Sequence, residues 1–504
     1  MISAAGLRRV RAAALAVAAV AGAPALAASA PGLQPCRLDG VEHEAQCGRV
    51  QRPLDLARPQ GASIDVHVAV LPALSRRKAQ DPVFFLAGGP GQSAIEMAGP
   101  LSRRFSRLNQ RRDLVFVDQR GTGRSASLQC PGDDKAAPRA PLGELLDTER
   151  QVAQMADCRQ ALQRLPHGSL QHYTTTIAMG DLDAVRQWLG VQQVNLIGAS
   201  YGTRAGLEYL RQFPGAVRRA VLDGVAPPDM VLPASMAADA QLALDGVLAA
   251  CDAQPACRHA HPALAARWRD LLRRLPLDAR VVHPHTGRIE SVTLTRQAVV
   301  NLVRTPLYVP ALAAALPAAL ADAADGRFEG LFGLAAALGA SGAMAGGMHF
   351  SVVCAEDVPR LARAPAPVHG DFGDGFAQTY TRICAQWPRG EVHEAFYRVG
   401  PTPAAVLLLS GGLDPATPPG HGERTARALG PQARHVVVAH AGHGVTALPC
   451  IADLAQRFID AEQPAQALAL DTGCAAAVPR PDATIAPWRT VPMPRASAAS
   501  KARP

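Results

Sequence analysis

Three observations in the sequence predict an α/β fold built on a mostly parallel sheet with helices on both faces. Short apolar runs suited to buried strands recur at 64–71, 83–86, 114–117, 194–197 and 220–222, and again only at 406–409 and 436–438. The long gap between them is rich in Ala and Leu at helical spacing, at 235–251, 264–275, 295–302 and 310–324, and reads as a mainly helical insert. The third observation is residues 194–206, which read as an apolar strand, a Gly-x-Ser-x-Gly turn and a helix carrying Leu207, Leu210 and Phe213. Strands that alternate with helices are buried on both faces and leave their functional loops at the carboxyl ends of the strands.

The elements follow in chain order. Arg8, Arg9 and Arg11, an apolar run over 12–21, Pro24 and the small-residue site Ala25-Leu26-Ala27 predict a signal peptide over 1–27. The run is too short to span a bilayer, so no stable membrane anchor is expected, and the exported chain belongs in a periplasmic or extracellular setting. Ten cysteines, an even number, fit that oxidising compartment. Their order suggests pairing between neighbours, Cys36 with Cys47, Cys130 with Cys158, Cys251 with Cys257, Cys354 with Cys384 and Cys450 with Cys474, although sequence leaves connectivity and free buried thiols open. No Cys-x-x-Cys pair is present to suggest a metal, and no cofactor is expected.

Of the formal net charge of +9, three charges lie before residue 12 and a net four beyond Pro479, which leaves about two on the body. That is no electrostatic footprint for nucleic acid. The body divides into a first core part over 28–224, a mainly helical cap over 225–400 and a second core part over 401–478, followed by an extended or disordered Pro/Ala/Arg/Ser tail over 479–504. Oligomeric state is not encoded in any feature of the sequence.

The chemistry is carried by four loops. Gly88-Gly89-Pro90-Gly91 follows the 83–86 strand, and its glycines let backbone approach a substrate, so Gly89 is an expected oxyanion-hole donor. Ser200 sits at the strand-to-helix turn as the expected nucleophile, and the N–H of the next residue, Tyr201, is the second expected donor. Asp414 follows the 406–409 strand and is the expected acid; His443, in a glycine-flanked loop after 436–438, is the expected base. The order Ser, Asp, His is that of the α/β-hydrolase fold. Asp223 and His440 are the alternative acid and base, since each also follows a strand.

Gly88-Gly89-Pro90-Gly91-Gln92-Ser93, Asp118-Gln119-Arg120-Gly121-Thr122-Gly123-Arg124-Ser125, Gly198-Ala199-Ser200-Tyr201-Gly202 and Gly442-His443-Gly444 together resemble the signatures of the prolyl and tripeptidyl aminopeptidase group of serine peptidases. The late Asp414 and His443 segment is similar to the secreted, tripeptidyl branch. Ala87 stands where prolyl aminopeptidases often carry histidine, a departure from the proline-specific pattern. The resemblance implies peptide substrates with a free N-terminus, whose ammonium group needs an acid from the cap. Glu356 is the expected ligand and Asp357 the second, with a solvated acidic turn as the other reading of this pair. Asp118 and Arg120 are assigned to loop architecture. A secreted carboxylesterase with the same triad, and a non-catalytic binding protein on the same scaffold, are the competing functions.

Overall fold

The computed structural model describes residues 32–131, 139–338, 344–363 and 370–485; the expected signal segment and the tail beyond 485 lie outside them. Nine strands form one sheet in the order β1-β2-β3-β5-β4-β6-β7-β10-β11: β1 (Gln34–Cys36), β2 (Ala45–Pro53), β3 (Ser63–Leu71), β4 (Val83–Leu86), β5 (Leu114–Val117), β6 (Val194–Ala199), β7 (Val217–Asp223), β10 (Ala405–Gly411) and β11 (Ala433–Val438). From β5 to β11 neighbouring strands are parallel, whereas β1, β2 and β3 add an antiparallel edge. A separate antiparallel hairpin, β8 (Leu277–Val282) with β9 (Ile289–Leu294), interrupts the helices of the insert.

Strands covered on both faces need apolar residues at every position, and β4 (VFFL), β5 (LVFV) and β10 (AVLLLSG) are buried throughout. Alternate residues feed two cores. Phe84, Leu196 and Leu408 pack with Met179, Leu182 and Tyr209 on one face. Phe85, Ile197 and Leu407 pack with Ile451 and Phe458 on the other. The strands β1 and β2 on the antiparallel flank, and β8 and β9 in their own hairpin, escape a search for apolar runs because most of their positions are not buried.

Within 225–400, Leu244, Trp268, Val299, Leu320 and Phe332 gather in a core of their own, which Leu142 joins from the first part of the chain. Met348, Val352, Cys354, Cys384 and Trp387 belong instead to the first core beneath the sheet. The insert is therefore one part with an independent centre and one part fused to the sheet domain. Arg480 Nη2 donates to the carbonyl of Gly246 at 2.7 Å and Thr484 N to that of Ala314 at 2.8 Å, so the start of the tail lies extended along the cap.

All ten cysteines pair, and each partner is the next cysteine in sequence. Among the described residues no helix is long and apolar enough to cross a membrane. The Cys130–Cys158 bridge closes a span of 28 residues and ties the helix Thr148–Gln163 to the loop behind β5. By loop-closure entropy, Cys130→Ala with Cys158→Ala is expected to cost about 3.5 kcal/mol, read from the denaturant midpoint of unfolding; an unchanged midpoint would refute a stabilising role.

Candidate active site

Pairing of β4, β6, β7, β10 and β11 brings their carboxyl ends to one sheet edge: Leu86 is in register with Gly198, Ala199 with Asp223, Asp223 with Leu409, and Gly411 with Val438. The four loops singled out in the sequence leave from that edge. β6 lies inside the sheet between β4 and β7, so Ser200 has loops on both sides.

Ser200 has φ 55° and ψ −123°, a backbone conformation that few non-glycine residues adopt. Its neighbours hold it there. Ser200 N donates to the carbonyl of Asp223 at 2.9 Å, while Thr203 N at 2.8 Å and Thr203 Oγ1 at 2.6 Å donate to the Ser200 carbonyl. The helix that follows, Tyr201–Gln212, lies so close to β4 that a Cβ on Gly202 would stand 2.1 Å from the carbonyl oxygen of Leu86. Glycine is required there by contact. Gly89 has φ +107° and lines the same cavity as Ser200 and Tyr201. Neither the Gly89 nor the Tyr201 N–H donates to another described residue.

Asp414 is buried. Its Oδ1 accepts from Ala416 N at 2.8 Å and Thr417 N at 2.9 Å, the local turn favoured by a short acidic side chain. Its Oδ2 accepts from Thr417 Oγ1 and lies within hydrogen-bonding distance of His443 Nδ1, both at 2.8 Å. Burial works against the Asp414 charge, but His443 and the backbone donors outweigh it and hold the pKa below the usual value. For His443, burial disfavours the charged imidazolium and Asp414 more than compensates, so its pKa lies above 6.5. An imidazole with Nδ1 committed to a carboxylate leaves Nε2 as its proton acceptor.

The alternatives have other tasks. Asp223 accepts from Val445 N, Thr446 N and Thr446 Oγ1 at 2.6–2.9 Å, which pins the segment after His443. His440 Nδ1 lies 2.9 Å from the Val478 carbonyl, at the base of the tail. Asp118 accepts from Ser93 Oγ, Ile95 N and Arg124 N. Arg120 is wholly buried and gives two bonds to Asp181 and others to the carbonyls of Pro53, Leu54 and His172, which ties loops together as expected.

Glu356 and Asp357 are buried rather than solvated, at the end of the helix Gly346–Glu356. Both carboxylates bind Arg204, one helical turn beyond Ser200: Asp357 takes Nη1 and Nη2 at 2.9 and 3.1 Å, and Glu356 takes Nη1 at 3.5 Å. Glu356 also accepts from Thr175 N at 2.7 Å and Thr175 Oγ1 at 3.0 Å; burial pushes its pKa up to about 7, against the pull of Arg204. The wall of the cavity at this point is Arg204, with the two acids behind it. A solvated turn is excluded, and direct access of an ammonium group to either carboxylate is blocked in this arrangement.

The cavity at Ser200 measures about 230 Å³. Sequence reasoning missed Thr417, Arg204, Arg304, Tyr308 and His349 among its residues. The Asp-x-x-Thr spacing of a side-chain-capped turn could have found Thr417, and i to i+4 periodicity could have found Arg204. Arg304, Tyr308 and His349 reach the site only through tertiary folding. Tyr308 is the most intimate: its carbonyl accepts from His443 N at 3.1 Å and its ring stands edge-on to the imidazole at 5.2 Å. Among the described residues no group of three or more His, Cys, Asp or Glu side chains is placed to hold a metal ion.

A family model described as alpha/beta hydrolase fold matches residues 81–446. The tripeptidyl aminopeptidase of Streptomyces lividans is 32% identical over 191 residues, which cover 36% of this chain and 36% of that protein, so the chain matches about a third of that relative's length. Serine protease Hip1 of Mycobacterium tuberculosis is 28% identical over 426 residues, 76% of this chain and 80% of that one. A solved structure of proline iminopeptidase from Mycobacterium smegmatis is 16% identical with a TM-score of 0.36, over 84% of this chain and 100% of that one.

A fluorophosphonate, which reacts with an activated serine, is expected to label Ser200 at a rate that falls as acid protonates His443, with a midpoint above pH 6.5. Asp414→Asn is expected to slow labelling by about 10³ to 10⁴ and to move that midpoint down. A wild-type midpoint well below 6.5 would contradict the Asp414–His443 coupling.

Proposed function

The chain belongs to the α/β-hydrolase family, and on that premise we propose that it is an exported serine exopeptidase that removes one or a few residues from peptide N-termini. The observation that carries the acyl-transfer part is the Asp414–His443 pair at 2.8 Å on loops beside the strained Ser200 turn. Ser200 Oγ attacks the scissile carbonyl as His443 Nε2 takes its proton, and the Gly89 and Tyr201 N–H groups receive the oxyanion. His443 then hands the proton to the leaving amine. Water, deprotonated by the same imidazole, releases the acyl group. Asp414 holds the ring in the required tautomer and stabilises its transient charge.

Similarity to a tripeptidyl aminopeptidase and to a serine protease supports a peptide substrate. The five disulfides support an oxidising compartment outside the cytoplasm. The free N-terminus is assigned to the cluster of Glu356, Asp357 and Arg204, where two carboxylates face one guanidinium and the ionised cluster carries a surplus negative charge. Attraction acts through Arg204 rather than by direct contact. A second reading, carboxylesterase, is favoured by the absence of any carboxylate among the described residues lining the cavity.

Purified mature protein assayed on free and N-acetylated mono-, di- and tripeptidyl anilides, with a short-chain ester alongside, is expected to cleave the free peptides. Ser200→Ala is expected to lower that turnover by about a thousandfold or more. Glu356→Gln is expected to reduce the preference for free over acetylated peptides by about tenfold, or 1.4 kcal/mol. Ester turnover without peptide cleavage would replace the exopeptidase with an esterase.

A further inference from the structure

The two guanidinium groups in the wall of the Ser200 cavity are in opposite electrostatic situations. Arg204 is neutralised by Asp357 and Glu356. Arg304, on the helix Arg296–Leu307, has no carboxylate within ion-pair distance among the described residues. It is nonetheless held in place: Nη2 donates to the Tyr308 hydroxyl at 2.7 Å, and the guanidinium carbon lies 5.2 Å from the Tyr308 ring centre and 5.6 Å from that of Phe376. Its Nε is buried with no acceptor. Of five N–H donors, one is used within the described residues.

Nε lies too deep for a ligand to reach, as does Arg204 Nε, but Nη1 is neither enclosed nor bonded within the described residues, and a ligand charge in the cavity can compensate this unpaired cation there. The group that does so is an anion, and planar guanidinium matches carboxylate in shape and charge. The charge of Arg304 also acts on His443 and on Tyr380, so it stands within electrostatic reach of the reacting bond. We propose that Arg304 forms a carboxylate-recognition subsite of this active site, so that the preferred substrates carry a negative group next to the scissile bond. That group is either an acidic side chain on the acyl portion or a carboxylate on the leaving group. The subsite rests on the reading of Ser200 as nucleophile and is independent of whether the bond is an amide or an ester.

The test compares kcat/KM for matched substrates on the wild type, Arg304→Met and Arg304→Lys. One arm sets Glu against Gln in the acyl portion; the other sets a carboxylated against an uncarboxylated leaving group on a neutral acyl portion; both are made as anilides and as esters. Calorimetric titration with glutarate runs in parallel. A preference of about tenfold or more for the carboxylate in one arm is expected, falling towards unity in Arg304→Met and retained in part by Arg304→Lys. The ratio is insensitive to the fraction of folded variant. Saturable glutarate binding that Arg304→Met abolishes, in a protein that hydrolyses nothing, would overturn the hydrolase reading and keep the subsite. Turnover with equal rates in both arms and no glutarate binding would overturn the subsite and keep the hydrolase.

Discussion

The arrangement of the site depends on how closely the helix Tyr201–Gln212 lies against β4. With Gly202 pressed onto the Leu86 carbonyl, there is no room for a side chain between helix and strand, and the turn that joins β6 to this helix has to be sharp. Ser200 absorbs the resulting strain, and the bonds from Thr203 and to Asp223 keep it from relaxing. The same contact sets the Gly88–Gly91 loop, which leaves the end of β4, beside the serine. Nucleophile and oxyanion donors are therefore positioned by one packing constraint.

The charged groups around this constraint are sorted by burial. Carboxylates that the fold buries are given donors in proportion: three for Asp223, a set of backbone and side-chain donors for Asp414, and Arg204 with Thr175 for the acidic pair. Burying an ion without partners costs several kcal/mol, and these networks offset that cost. Arg304 differs from Arg204 in the same wall in having no carboxylate partner among the described residues, although each leaves its Nε without an acceptor.

Much of this was legible in the sequence because the relevant signals are local. Parallel strands buried on both faces announce themselves as apolar runs, and Ser200, Asp414 and His443 stand out by following such runs in the order of one fold. Strands of the antiparallel flank such as β2, with Arg49 and Gln51 exposed and Ala45 its one fully buried residue, carry no such signal. The environment of Glu356 was also hidden. An acidic pair in sequence looks solvated until the nucleophile helix is seen to bring Arg204 across to it, a contact between residues 152 positions apart. Arg304 and Tyr308 lie at the end of the helix Arg296–Leu307, whose face towards the site is fixed only by tertiary packing.

The bond from His443 N to the Tyr308 carbonyl has a mechanical consequence. A Cβ on Gly442 would stand 2.3 Å from that same oxygen, so the histidine loop and the end of a cap helix are interlocked backbone to backbone. A displacement of this helix end would pull the imidazole-bearing loop with it and separate it from Asp414. The alignment of the base with Asp414 thus rests on the seam between the histidine loop and the end of this helix, outside the sheet that carries the other triad loops.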